Sequence, residues 1–183
     1  MDGKGMFLRY AEGCKFYWED KSLLSDRDKK DLESGNPKHE TLRRVFYVAV
    51  PVLEAMAKES GRDVFDRDLL REFYSGEHNR RKFEEGQLAC LAFPARVLEK
   101  GGGRLLVDLE PVTARVWVED DIDAGPGDWV VFHRMILVER ITEEFAMEMK
   151  RGLMELGLNK AYKFPKAAIK YLRELKRRGR GNV

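Results

Sequence analysis

Apolar residues recur along the chain with two different periods, and the changes of period divide it into three stretches. Over residues 1 to about 86 the spacing is helical. Met6, Phe7, Tyr10, Ala11, Cys14, Tyr17 and Trp18 fall at i, i+3 and i+4 intervals, which line one face of a helix. Ser25 followed by Asp26 and Asp28 predicts an N-cap and an acidic first turn, opening a short helix that ends near Gly35. Residues 39–60 predict a longer helix with Leu42, Val45, Phe46, Val48, Ala49, Val52, Leu53 and Met56 facing inward. Pro51 should kink or divide it, and Gly61 should end it. A further helix starts near Asp66, carries Leu69, Leu70 and Phe73, and stops at Gly76. The polar stretch EHNRRKFEEGQ that follows predicts an exposed linker and is the candidate domain boundary.

Beyond that point the period drops towards two. ARVLEK, RLLVDLE, VTARVWVED and DWVVFHRMILVER are rich in Val, Leu and Trp, and KGGGR, LEP and DAGPGD lie between them. Short strands at even spacing with Gly/Pro turns predict a small barrel or sandwich. From Thr142 the helical period returns with Phe145, Ala146, Met149, Leu153 and Leu156. A second helix is expected after Pro165, with Ala168, Ile169, Leu172 and Leu175 on one side. The chain therefore reads as α+β, with an all-helical domain over 1–86, a small β domain over 87–150 and a basic helical tail over 151–183.

Composition sharpens this picture in three places. At 43% hydrophobic over 183 residues, the chain can bury a real core, which excludes wholesale disorder. The charged fraction is 36%, with four Asn and one Gln, a bias that resembles proteins from hot environments. The net charge of +2 hides an asymmetry: from Lys150 onward eleven Lys/Arg stand against two acids, a net +9, which leaves −7 on the first 149 residues. A basic tail on an acidic body suits either a nucleic-acid or acidic-protein contact or a plain solvated helix. MDGKGMFLRY lacks a long apolar segment of the secretory type, and no apolar run reaches about 18 residues. Two cysteines make no disulfide framework. The expectation is a soluble cytoplasmic protein with no membrane partner.

Candidate chemistry is sparse. KGGGR lacks the spacing of a phosphate-binding loop and predicts a hairpin turn. The run Glu119, Asp120, Asp121, Asp123 fails the pattern of a calcium loop and predicts a solvated loop. The soft ligands are Cys14, Cys90, His39, His78 and His133, and no two of them show the spacing of a structural zinc site. Cys14 falls on an apolar helix face, where a thiol usually packs as a small hydrophobe. A nucleophilic pair of Cys90 with His133 lacks any visible oxyanion-hole signature or third group to orient the imidazole. Cys90 stands just before the first strand and His133 at the end of DWVVFH. In a small barrel those two points can be neighbours, so the thiol and imidazole either share one site or are two unrelated residues.

At these residues the sequence resembles a known family. CLAFPARVLE, then GRLLVDLE, then AGPGDWVVFH and a helix from ITEEFA are similar to the hydrogenase assembly chaperones of the HypC/HupF type. Cys90, Leu91, Ala92 and Pro94 match the family's opening Cys-Leu-Ala-x-Pro. Gly127, Asp128, Val130, Val131 and His133 match its Gly-Asp-x-Val-x-Val-His segment. The match covers roughly residues 89–150. The resemblance implies a small OB-like β-barrel with a C-terminal helix, and a non-enzymatic carrier of an iron centre bearing cyanide and carbon monoxide. It implies docking on the iron–sulfur scaffold protein HypD and on a [NiFe]-hydrogenase large-subunit precursor, with Cys90 as iron ligand and contact and His133 as the second metal-site residue. Three departures stand out. The cysteine is internal rather than N-terminal, Ala95 replaces the family's Gly, and Arg134-Met135-Ile136 replaces its Gly-Phe-Ala. The helical extension is expected to be a specificity module for one precursor. The alternative is a nucleic-acid-binding module in which Trp117, Trp129 and Phe132 stack bases and the C-terminal cations follow phosphates. The acidic barrel segment speaks against it.

Overall fold

The computed structural model describes residues 2–20, 24–102, 104–108, 113–117, 122–134 and 136–158, with the backbone alone for 15–20, 89 and 113–117. Tyr17, Trp18 and Trp117 as side chains, the run Glu119–Asp121, the helix expected after Pro165 and the basic tail lie outside this description. The chain separates into two compact units, Met1–His78 and Asn79–Val183.

The first unit is helical: α1 (Gly3–Asp20), α2 (Asp26–Leu32), α3 (His39–Val45), α4 (Ala49–Ser60) and α5 (Arg67–Ser75), with the start of α6 (Glu77–Glu84) at its end. Local signals set most of these bounds. The Ser25 hydroxyl accepts the Asp28 N–H and the Asp66 carboxylate accepts those of Asp68 and Leu69, each satisfying donors that a helix start leaves open. Gly61 closes α4 in the left-handed conformation, at φ 69°. Residues 39–60 form two helices rather than one. α3 stops at Phe46 and α4 restarts three residues later, so Pro51 sits in a first turn, where its missing N–H has no intrahelical role. The break turns Val48 outward. It was expected inward and is 47% exposed, while Val50 takes the buried position.

Aromatic rings fill this unit's core. Phe7 meets Phe46 edge-on at 5.2 Å and Phe65 at 5.3 Å, and Tyr10 stacks on Tyr74 at 4.1 Å. Burial pushes the Tyr74 hydroxyl's pKa well above its ordinary range. At the edge of the core, Asp28 is buried and pairs with Arg44, while its other oxygen accepts the Ser25 hydroxyl at 2.7 Å. The hydrogen bond from Arg44, helped by that from Ser25, holds the carboxyl below the usual carboxylate range. A carboxylate whose pKa is depressed by folding stabilises above its unfolded value and loses that contribution as pH falls through the folded value. The helical unit should therefore weaken as the pH drops below about 4. Asp28→Asn should lower its stability by about 1–3 kcal/mol at neutral pH and flatten the acid dependence. Urea melts followed by helical circular dichroism at about pH 7 and about pH 3 check both effects.

The second unit is a sheet with a helix at each end. The polar stretch expected as a linker is instead the helix α6, which holds buried Asn79. A short 3₁₀ turn, Leu88–Cys90, leads into β1 (Ala92–Gly101), followed by β2 (Arg104–Asp108), β3 (Thr113–Trp117), β4 (Trp129–His133), β5 (Ile136–Ile141) and α7 (Glu143–Glu155). DWVVFHRMILVER is thus two strands joined by a tight turn. All pairings are antiparallel, in the order β3-β2-β1-β4-β5. β1 changes partner along its length. Ala92–Arg96 pair with β4 and Arg96–Gly101 with β2, with an irregularity between Val97 and Glu99. That change explains Pro94 within a strand: it precedes the β2 ladder, so no N–H is needed on that side. The edge strands β3 and β5 approach within 8 Å Cα to Cα, with no hydrogen-bonded ladder between them.

Ala95, Val97, Leu105, Val107, Ile122, Ala124, Val130, Phe132 and Leu137 form the core on one side of the sheet. β4 is buried at every residue, because α7 packs across β1 and β4 and covers its other face with Ala146, Met149 and Leu153. Thr142 caps α7 by accepting the Phe145 N–H. Among the described residues, no helix is long and apolar enough to cross a membrane.

Candidate functional site

The start of β1 and the end of β4 meet at one point. Ala92 lies opposite His133 in the β1–β4 register, so Cys90, two residues earlier, falls just beyond the ladder beside the β4–β5 turn. His133 is 1% exposed. Its Nε2 lies 2.8 Å from the Cys90 carbonyl oxygen. A carbonyl only accepts, so the geometry assigns the proton to Nε2.

The turn supplies a second contact. His133 pairs with Ile136, so the chain reverses between them, with Arg134 in the turn. Tight strand reversals call for positive φ, and Arg134 adopts φ 51°. From that corner its Nη1 donates to Cys90 Sγ at 3.4 Å. Cys90 is 9% exposed. The sulfur is thus lined by a cation on one side. Leu91, beside it, belongs to a small apolar cluster with Leu153 and Leu158, against which Phe83, Leu88 and Phe93 pack.

The backbone after Cys90 is fixed from the other direction. Asn79 on α6 is fully buried, and its side-chain amide brackets Ala92. Nδ2 donates to the Ala92 carbonyl at 2.9 Å, and Oδ1 accepts the Ala92 N–H at 2.7 Å. The amide acts as a one-residue strand. Pattern reading missed Asn79 because it sits among charged residues of a helix that is polar throughout. The available signal was compositional, since a chain with four Asn keeps one between Glu77 and Lys82. Arg134 was visible only as a departure from the resembled family.

The remaining candidates lie elsewhere. His39 pairs with Glu54 at 2.8 Å, His78 packs against Phe73 and Tyr74, and Cys14 is partly exposed on α1, all in the first unit. Where KGGGR was expected to turn, β1 passes to β2, with Gly101 opposite Arg104 and Gly102 at φ 59°. Asp123 pairs with Lys100 at 3.4 Å. Among the described residues, no three His, Cys, Asp or Glu side chains gather as a metal cluster. Of the aromatics considered for base stacking, Trp129 and Phe132 are buried, and Lys150 Nζ stands 4.5 Å from the Trp129 ring centre.

The pair Cys90–His133 therefore consists of a soft sulfur donor held by backbone anchors on both flanks, with an imidazole fixing its carbonyl and a guanidinium against the sulfur itself. Such an arrangement can hold one soft ligand position or one covalent or coordinative contact to a partner. No protein-family model matches the chain, and no curated protein matches it.

Proposed function

We propose that this chain is a maturation chaperone of the HypC/HupF type, assisting assembly or delivery of the iron centre to a [NiFe]-hydrogenase large-subunit precursor. One observation carries the reading. The two segments that bear the resemblance, CLAFP and GDWVVFH, are neighbouring strands, and their cysteine and histidine meet through a 2.8 Å hydrogen bond across 43 positions of sequence.

The sheet supports an OB-like barrel as its architecture. β1 is ten residues long and serves two partners, which curls a sheet. Its edges β3 and β5 approach one another, so the order would close as 1-2-3-5-4. In this reading the iron centre with its cyanide and carbon monoxide ligands is cargo. Cys90 offers it one soft thiolate, the donor type such a centre favours. The cargo's own ligands fill most of the remaining positions, so a three-residue protein cluster is not required. His133 serves the site chiefly by fixing the Cys90 backbone, and as the second metal-site residue it would have to exchange its present hydrogen bonding for the metal. HypD and the large-subunit precursor are the partners, the cytoplasm the place of work, and the helical unit the element that selects one precursor. The role is transfer rather than catalysis.

Cys90→Ala in the native host tests this. Maturation of the large subunit should be lost, while the purified variant melts within about 1 kcal/mol of wild type. A hydrogenase that matures normally with Cys90→Ala would remove the carrier role.

A further inference from the structure

The outer face of α7 carries an apolar stripe between charges of mostly one sign. Met147 and Met154 stand two helical turns apart on that face and are 38% and 64% exposed. Glu144, Glu148 and Glu155 run along one flank of the pair and Glu143 along the other, with Arg151 beside the methionines. Among the described residues, no ion pair engages any of these four glutamates. The chain leaves α7 already turning. Gly157 adopts φ 91°, and its N–H donates to the Met154 carbonyl at 2.9 Å, while the Leu158 N–H donates to that of Leu153 at 3.0 Å. Leu158 then packs with Leu153 and Leu91.

Residues 159–183 follow, with nine Lys/Arg and one acid, Glu174. Pro165 and Gly179 bound the stretch 166–178, which has the 13-residue length of α7. On a helical period Ala168, Ile169, Leu172 and Leu175 share one side of it. Lys166, Lys170, Arg173 and Arg177 run along one flank of that side. We propose that residues 166–178 dock as a helix, antiparallel, on the outer face of α7 and cover Met147 and Met154. Antiparallel pairing puts the acidic flank of α7 and the basic flank of the tail on the same side, whereas parallel pairing would put them on opposite sides. With 156–165 as the connection, the order along the pair matches too. Glu155 falls level with Lys166, Glu148 with Arg173 and Glu144 with Arg177. Glu143, on the other flank, falls level with Arg178. Each exposed ion pair contributes little, so burial of the two apolar stripes supplies most of the affinity and the charges fix the direction. The proposal is independent of the carrier reading. It turns towards glutamates the cations that the alternative function would turn towards phosphates.

Amide hydrogen exchange of the full chain, read by mass spectrometry, tests this. A helix of this length is marginal in water by itself, so slow exchange over 166–178 requires a partner. Those amides should exchange at least roughly tenfold slower than an unprotected chain, as docking for nine-tenths of the time requires. Met147→Asp with Met154→Asp should return them to the unprotected rate. Both positions are exposed, so the amides of β4 and α7 should stay protected and report that the sheet unit is intact. A charge swap gives a second measurement that leaves the methionines in place. Glu144→Lys with Glu148→Lys should speed exchange of the tail, and adding Arg173→Glu with Arg177→Glu should slow it again. Protection should be the same over roughly two decades of protein concentration, because the contact lies within one chain.

A tail that exchanges at the unprotected rate in the parent chain refutes the docking, whether or not added RNA then protects it. Protection that survives the two Asp substitutions also refutes it, since the tail then rests elsewhere. Protection that rises with protein concentration assigns the contact to a second copy instead. If the Asp substitutions strip protection from α7 itself, the charge swap decides, and a swap without rescue overturns the pairing.

Discussion

Asn79→Ala is expected to destabilise the sheet unit by about 2–4 kcal/mol, a large effect for one polar residue on a polar helix. The figure follows from what the amide does. It makes two short hydrogen bonds in a fully buried position, and its removal strands both the N–H and the C=O of Ala92 away from water. Asn79→Asp separates the two halves of the role. A carboxylate still accepts the Ala92 N–H but turns a second acceptor towards the Ala92 carbonyl, so it should rescue little. Urea denaturation gives the stability, and hydrogen exchange at the Ala92 amide reports the clamp directly. A variant with wild-type stability and wild-type protection at Ala92 would show that the bracket is incidental. The same experiment bears on the sulfur. With the bracket removed, Ala92 is held less firmly while the Cys90 carbonyl keeps its His133 contact, and alkylation of the Cys90 thiol should then become sensitive to urea.

Phe132→Ala should be worse, at about 3–5 kcal/mol. Phe132 is 1% exposed, the fourth of five residues in β4, within the cluster formed by Val130, Val97, Leu105, Val107 and Leu137. Truncation removes the transfer energy of the ring and leaves a void that backbone-paired strands on both sides cannot close. Leu98→Ala is the control. Leu98 lies at the irregularity of β1 and is 40% exposed, so its truncation should stay within about 0.5–1 kcal/mol. Calorimetric or denaturant melts of the two variants against wild type check the contrast. Similar losses from both would mean that the core does not centre on β4.

What could be read in advance depended on how local its cause was. The Ser25 cap, the helix starts near Asp66 and Thr142 and the stops at Gly61 and Gly76 were legible, because each signal acts within a turn of the helix it bounds. Pro51 announced a division of residues 39–60, but the break falls upstream of it, which is why Val48 was placed on the wrong side. The strands were legible from their period, whereas the turn at Arg134 was not. DWVVFHRMILVER carries no Gly, Pro or Asn where the chain reverses, and Arg134 adopts positive φ without the residue type that usually signals it. Gly3 was equally silent. A Cβ there would lie 1.7 Å from the Phe65 carbonyl oxygen, a demand made by a residue sixty-two positions away and invisible at the start of a helix. The site followed the same rule. Cys90 and His133 were nameable as types, and their meeting was arguable only through a strand order. The residues that hold and cover the sulfur, Asn79 and Arg134, act across distances that no local pattern encodes.

The 43 positions between Cys90 and His133 also have a meaning in time. At translation rates of about 5–20 residues per second, the thiol leaves the ribosome roughly 2–9 s before the imidazole that pins it and the guanidinium that shields it. For those seconds the nascent chain carries the thiol without either contact. Slow codons between these two points would lengthen that window, and synonymous recoding would shorten it without altering a single atom of the finished protein.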